Sequence, residues 1–258
     1  MVQVREIHAA SLEDHVDTEA WLNKIAQKCQ LDKSARESLD QAADLARAAE
    51  ESALLAGESV FRGSILQMGL EIADILSDLR MDCEGLQAAI LYRAVREGKL
   101  DLEVVRCDFG ENVAILINNV LRMAVISGLR SDSQQDVFGQ DAGQQASKVR
   151  EMLVSLIDDV RVALIKLAER TCAIRMVKTA PEQKRREVSR EIFDVYAPLA
   201  DRLGIGQLKW ELEDLAFRYL EPDEYQQIAR LLDEKRVDRQ HYIDAAIATI
   251  QDELEKIS

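Results

Sequence analysis

The chain has 258 residues, of which 47% are hydrophobic, and its formal net charge at pH 7 is −14. The hydrophobic fraction is enough for a real core and indicates a soluble globular protein. The acidic charge argues against strong autonomous binding of nucleic acid, because a phosphate backbone is attracted by a positive surface. Only 5% of the residues are aromatic, and 11 Gly and 3 Pro accompany abundant Leu, Ala and charged residues. Since strands favour β-branched and aromatic side chains, this composition predicts an all-α fold.

Signals for targeting or for a structural metal are sparse. The N-terminal stretch MVQVREIHAASLEDH carries charges where a signal peptide would be apolar, and the sequence has no run of about 18 apolar residues. We therefore expect a cytoplasmic protein with no membrane partner and no direct DNA partner. No C-x-x-C pair is present, so neither a zinc knuckle nor a disulfide framework is predicted for the four cysteines, Cys29, Cys83, Cys107 and Cys172.

In the first half of the chain, polar residues that favour helix N-caps mark the predicted helices. Ser34 followed by Glu37 makes a capping-box start for a long helix. Asp82 and Asp101 are predicted to cap the next two helices. Over residues 127–144, Gly, Ser, Asp and Gln replace the periodic apolar pattern, so this segment is predicted to be a loop.

In the second half, prolines and glycines mark the breaks between helices. Pro181 suits the first turn of one helix, whereas Pro198 lies inside a helical pattern and is expected to kink or split it. Gly204 marks the next turn. From Gln207 the pattern predicts further helices up to the C-terminus, with a break at Pro222.

One apolar segment, VALIKLAERTCAIRMV at residues 162–177, contains a Lys, a Glu and two Arg. A buried helix normally keeps its charges on an outer face, because burying an unpaired charge costs several kcal/mol or shifts its pKa. The charges of this segment therefore either face solvent or serve a site.

The order of three segments resembles a known family. These segments are FGENVAILINNVLRM, VREMLVSLIDDVRVALIKLAERTCAIR and YAPLADRLGIGQLKWELEDLAFRYLEPDEY. They are similar to the N-terminal half of the long RelA/SpoT enzymes, which make and degrade the alarmone (p)ppGpp. The resemblance covers residues 55–232 well. It implies an HD-type helical hydrolase domain, in which His and Asp ligands hold a divalent metal that activates a water.

The resemblance also identifies which residues occupy the family's metal-ligand positions. Met68 stands where the first motif has His. Tyr92 and Arg93 replace the central His-Asp pair, and Arg96 and Glu97 replace the Glu-Asp pair that helps to activate the water. Neither a thioether nor a guanidinium is a ligand for a hard divalent cation. The family's metal site is therefore expected to be degenerate.

The fourth motif, KLADR-x-x-N in the family, is KLAERTCA in this sequence. Glu169 takes the position of the Asp, and Ala173 replaces the Asn. We expect no catalytic residues, no bound metal and no cofactor in this chain, and we expect Glu169 to pair with Arg93 or Arg96 instead of a metal. The three histidines lie outside all four motifs, which favours surface or capping roles for His8, His15 and His241.

The degenerate motifs and the C-terminal stretch are most similar to the ribosome-associated, monofunctional synthetase branch of the family. The first hypothesis is a catalytically inactive hydrolase-like domain that regulates, in cis, the ATP:GTP 3′-pyrophosphotransferase of a stringent-response protein. The second is a sensor that binds a guanosine polyphosphate through Arg93, Arg96 and Arg170, which would act as nucleotide-binding residues. The third, a working metal-dependent hydrolase, would need ligands that the sequence does not show. A purely structural spacer remains an alternative to the first hypothesis.

The domain organisation follows from the same resemblance. Residues 1–200 are predicted to form the degenerate HD-type domain, and residues 201–258 a helical segment that leads to a synthetase domain beyond this sequence. The expected partners are the synthetase domain of the same chain and, through a further C-terminal part, the ribosome. Because the last helices would pack on an absent domain, they are expected to expose apolar residues and to permit self-association through Leu208, Leu212, Leu215 and Phe217.

Overall fold

The structure is a computed structural model that describes residues 17–56, 64–132 and 159–232. These ranges contain helices and no strand, so the predicted all-α fold is confirmed. The α-helices are α1 (Thr18–Cys29), α2 (Lys33–Leu55), α3 (Ile65–Asp78), α4 (Cys83–Arg96), α5 (Leu102–Phe109), α6 (Glu111–Asp132), α7 (Val160–Met176), α8 (Glu182–Glu191), α9 (Ala197–Arg202), α10 (Gly206–Leu220) and α11 (residues 222–232). A 3₁₀ turn follows α7 at Val177–Thr179, and a π-helical turn joins α8 to α9 at Ile192–Tyr196.

Short polar side chains begin most of the helices in the first half of the chain. Asp82 caps α4 and Asp101 caps α5, each by accepting a hydrogen bond from a backbone N–H of the first turn, as predicted. The predicted start of α2 is wrong by two residues, because Asp32 is the N-cap and its Oδ1 accepts from the amide of Ala35 at 2.8 Å. An aspartate caps as well as a serine, so the helix is capped at Asp32, two residues before the predicted Ser34.

The centre of the core is the contact between α3 and α4. Helix α3 also packs on α1, α2 and α7, and α4 also packs on α2 and α6. The two backbones approach closely at Gly69, where a β-carbon on the glycine would overlap the carbonyl oxygen of Ile90. This approach is possible because glycine has no side chain. The contact between α3 and α4 places Met68 and Tyr92, two of the altered motif positions, in the core.

Two predicted breaks have different outcomes. The loop predicted over residues 127–144 is wrong at its start, because α6 extends through Asp132, and residues 133–144 lie outside the described ranges. A single Gly inside a helical pattern is tolerated, so Gly128 does not end the helix. The break at Pro198 is confirmed as an irregularity: the π-helical turn immediately precedes α9, whose first turn contains the proline. A proline in that first turn has no N–H to satisfy.

The expectation of exposed leucines on α10 is wrong. Leu208, Leu212 and Leu215 are buried in the same core as the preceding helices, because α10 packs these side chains against α7, α8 and the π-helical turn. Phe217 is half-buried. An apolar stripe identifies the buried face of a helix but not the element that covers it. The division into residues 1–200 and 201–258 stays a prediction.

A different apolar surface is exposed on the C-terminal side of the described residues. Trp210 is 59% exposed and Phe193 47%, and together with Phe217, Tyr225 and Ile228 they line a groove of about 620 Å³. Self-association stays a prediction, with this groove in place of the leucines of α10. No helix within the described ranges is both long and apolar enough to cross a membrane.

Candidate functional site

Glu169 lies at the centre of a buried group of charged side chains, which we call the Glu169 cluster: Glu169 with Arg96, Lys166 and Arg170. Arg96 Nη1 of α4 donates to Glu169 Oε1 at 2.8 Å, and Lys166 Nζ donates to Oε2 at 2.9 Å. The Nε of Arg170 lies 3.1 Å from the same Oε2, although it is not aligned for a hydrogen bond. Three cations therefore surround one carboxylate whose side chain is only 4% exposed.

Helix α7 carries these charges inward because it is buried around most of its circumference. Its buried residues include Leu167 and Ala168 as well as Lys166 and Glu169, so no outer face is available for that turn. Lys166 and Glu169 are three residues apart and therefore neighbours on the helix surface. Of the two alternatives for VALIKLAERTCAIRMV, solvent-facing charges are excluded for these two residues, and a role in a site stays a prediction.

The pKa values in the cluster reflect burial and mutual attraction. Burial lowers the pKa of Lys166 to about 8, and the nearby carboxylate of Glu169 only partly opposes this. For Glu169, burial by itself would raise the pKa, but the charges of Lys166, Arg170 and Arg96 outweigh it and hold the pKa well below the usual range. At neutral pH the carboxylate is therefore ionised and bound by its cations.

Tyr92, at a motif position where the family has His, is fully buried on α4. Its hydroxyl has no hydrogen-bond partner among the described residues. Burial, and then the negative charge of Glu169, raise the pKa of this phenol to about 12, so it stays protonated and remains a donor. Met68 on α3 is also buried, and it precedes Gly69, where the backbones of α3 and α4 approach closely.

The structure separates the two predicted pairings of Glu169. Arg96 is its partner, as predicted, whereas the Nε of Arg93 donates to Glu97 one turn further along α4. Four of the altered motif positions thus have different environments. Met68 packs in the apolar core, Tyr92 is a buried phenol, Arg93 pairs with Glu97 at the end of α4, and Glu169 is a paired carboxylate.

Arg170 has two further contacts that the sequence did not predict. Its Nη1 donates to Glu191 of α8 at 3.2 Å, and its guanidinium carbon lies 5.3 Å from the centre of the Tyr196 ring. The only sequence signal for Lys166 as a site residue was a charge inside an apolar run. For Glu191 and Tyr196 no signal existed, because they are charged and aromatic residues in an ordinary helical pattern.

A metal ion needs several oxygen, nitrogen or sulfur ligands converging on one point. Within the described ranges no group of three or more His, Cys, Asp or Glu side chains has that arrangement. His8, His15 and His241 lie outside those ranges. Of the four positions Met68, Tyr92, Arg93 and Glu169, only Glu169 supplies a carboxylate, and both of its oxygens are already occupied by cations.

Comparison with known proteins identifies the family of this domain. The HD domain model matches residues 42–206. A GTP pyrophosphokinase of Escherichia coli is 44% identical over 190 residues, which is 74% of this chain and 25% of that protein. A GTP pyrophosphokinase of Photobacterium angustum is 37% identical over 254 residues, 98% of this chain and 32% of that protein.

A relative named for a different activity is also similar. A probable guanosine-3′,5′-bis(diphosphate) 3′-pyrophosphohydrolase of Synechocystis is 36% identical over 183 residues, 71% of this chain and 22% of that protein. The chain thus spans between about a fifth and a third of the length of these three relatives. On the matched domain and the helical architecture around the Glu169 cluster, the chain belongs to the HD domain family, as the HD-type domain of a RelA/SpoT protein.

Proposed function

We propose that this chain is a catalytically inactive (p)ppGpp hydrolase-like domain that regulates, in cis, the ATP:GTP 3′-pyrophosphotransferase of a RelA-type protein. The observation that carries the proposal is the state of Glu169, whose two carboxylate oxygens bind Arg96 and Lys166. A divalent ion at this point would have to displace two cations and would then lie beside them. The residues of this site do not fit a divalent metal.

The neighbouring motif positions support the same proposal. Tyr92 supplies a protonated phenol in place of an imidazole, and Arg93 supplies a cation in place of a carboxylate. Without a metal to acidify a water, the residues present offer no equivalent nucleophile. An active hydrolase, the third hypothesis, is disfavoured by this arrangement.

The names of the relatives support the proposed role in regulating pyrophosphate transfer. Those that are 44% and 37% identical are named GTP pyrophosphokinase, and the chain covers only part of each. The regulated synthetase is then the partner in the same polypeptide, and contact with the ribosome belongs to regions outside this chain. A cytoplasmic location, and the absence of a cofactor, a DNA partner or a membrane partner, are parts of the same proposal.

The test compares pyrophosphate transfer from ATP to GTP in the full-length protein with the same protein lacking residues 1–200. We expect the deletion to change the rate by about five- to a hundredfold, the size of a typical coupling between two sites. Because the deletion uncovers Leu208, Leu212 and Leu215, circular dichroism must show that the remainder is folded. A second variant, Glu169→Gln in the full-length protein, should shift the rate in the same direction. An unchanged rate in both would overturn regulation in cis.

A further inference from the structure

Among the described residues, the Glu169 cluster contains more positive than negative charge. Arg96, Lys166 and Arg170 supply three cations, whereas the described carboxylates bonded to them are Glu169 and Glu191. A buried region with an uncompensated positive charge is costly unless an anion or solvent compensates it.

One buried donor of this region also lacks an acceptor. The hydroxyl of Tyr92 is out of contact with solvent and has no hydrogen-bond partner in the described part of the chain, whereas the Nε of Arg170 is ion-paired with Glu169 Oε2 at 3.1 Å. Tyr92 itself is 0% exposed. Buried donors are almost always bonded, so this unbonded hydroxyl beside the charge cluster points to a ligand that accepts hydrogen bonds.

We propose that the former metal site now binds an oxyanion of the phosphate type, held by the Tyr92 hydroxyl and the guanidinium groups of Arg96 and Arg170. A phosphate oxygen accepts from a guanidinium in the same way as a carboxylate does, and it supplies the negative charge that the cluster lacks. Where the family binds a cation, this chain would bind an anion. The inference rests on the proposed function, since a metal at Glu169 would exclude this occupant.

Exposure indicates the side from which the anion enters. The side chain of Arg96 is 35% exposed, that of Arg170 is 12% exposed, and Lys166 and Tyr92 are completely covered. A ligand therefore reaches the cluster along Arg96. Of a larger ligand, the proposal places only the phosphate group at the Tyr92 hydroxyl.

This assignment changes the set of arginines expected from sequence. Arg96 and Arg170 remain as proposed ligands of the anion. Tyr92 takes the place of Arg93, because the Nε of Arg93 is bonded to Glu97. Lys166 is bonded to Glu169 and adds a positive charge to the cluster. Two sources share the chemistry of the ligand: free inorganic phosphate, and a terminal phosphate group of a guanosine polyphosphate. In both cases the site would recognise the phosphate oxyanion.

The test is calorimetric titration of the 258-residue chain with inorganic phosphate. We expect saturable binding that Tyr92→Phe weakens by about tenfold, because a hydrogen bond to a charged group is lost while the ring remains. Arg96→Gln should weaken binding at least as much. The matched control is Tyr219→Phe, because Tyr219 lies under Arg185, outside the cluster, and its replacement should leave the affinity unchanged.

A second titration with ppGpp distinguishes the sources. Equal affinities for phosphate and ppGpp would assign the site to the oxyanion alone, and tighter binding of ppGpp that is still weakened by Tyr92→Phe would assign it to the nucleotide's phosphate. The proposal is overturned if phosphate shows no saturable binding up to about 10 mM, or if neither Tyr92→Phe nor Arg96→Gln changes the affinity. Phosphate binding and hydrolase activity are separate readouts, so failure here leaves the proposed function to its own tests.

Discussion

Replacing Glu169 by Gln is expected to reduce the free energy of unfolding at pH 7 by about 3–5 kcal/mol, the usual cost of breaking a buried ion pair from one side. The variant keeps the shape of the side chain but leaves Lys166 without the carboxylate to which it donates. Arg96 can turn to water and Arg170 retains Glu191, so the buried lysine accounts for most of the loss. The change is a large share of the stability of an ordinary domain.

An independent limit on this cost comes from the protonation of Lys166. If the lysine without its partner loses its proton in the folded variant, folding at pH 7 must neutralise a group whose ordinary pKa is 10.5. At 1.36 kcal/mol per pKa unit this costs about 5 kcal/mol. Deprotonation therefore limits the penalty to the upper end of the expected range, because the chain adopts whichever state costs less.

The measurement is urea denaturation followed by circular dichroism, with Glu187→Gln as the matched control. Glu187 pairs with Lys184 on the exposed surface of α8 at 3.5 Å, where removal of one charge should cost less than about 1 kcal/mol. Equal midpoints for Glu169→Gln and Glu187→Gln would contradict the description of Glu169 as a buried, essential counter-charge.

The difference in the free energy of unfolding between the wild type and Glu169→Gln is expected to depend on pH. Because the folded-state pKa of Glu169 is lowered from its ordinary value of 4.5, its ionised form stabilises the fold fully above that pH. The contribution is lost progressively as the pH falls below 4.5 towards the folded-state pKa. The difference in stability between the wild type and Glu169→Gln should therefore narrow in acid, whereas a difference that stays constant down to the acid transition would argue against an ionised Glu169.

Gly69→Ala is expected to destabilise the protein by about 1–3 kcal/mol, the range for an overpacked core. A β-carbon at this position would overlap the carbonyl oxygen of Ile90 and lie 2.9 Å from its α-carbon. Both atoms belong to the backbone of α4, so no rotation of a side chain relieves the contact and α3 and α4 must separate. In an ordinary helix interior the same change stabilises by roughly 0.5–1 kcal/mol, so the expected sign is reversed.

Gly206→Ala serves as the control for this prediction. No atom lies within 4 Å of a β-carbon built at Gly206, which begins α10, so this variant should unfold at nearly the wild-type temperature. Thermal unfolding of the two variants beside the wild type gives the comparison. If Gly69→Ala melts with or above the wild type, the backbones of α3 and α4 do not meet as closely at this position.

Local features of the fold could be predicted from sequence because they depend on neighbouring residues. The caps at Asp82 and Asp101 each need only one side chain and the next few amides, and both are confirmed. The partner of a buried face does not follow from a local pattern. Leu212 was expected to be exposed, and it is fully buried against the preceding helices.

The candidate site could likewise be predicted only in its local features. The motif positions could be found along the chain, and the pairing of Glu169 with Arg96 was one of two open alternatives. The choice between Arg93 and Arg96 depends on how α4 lies against α7, across 73 positions of sequence, which no local pattern fixes. The hydroxyl of Tyr92 has no hydrogen-bond partner among the described residues. The sequence could not predict this, because the lack of a partner depends on all the side chains that pack around the hydroxyl.

Incubation of the chain with ppGpp and excess manganese, followed by measurement of released pyrophosphate, tests whether this domain hydrolyses (p)ppGpp. We expect no release above that of a protein-free sample, because both oxygens of Glu169 are bound by cations. Release of pyrophosphate that a chelator abolishes, and that disappears in Glu169→Gln, would contradict this expectation.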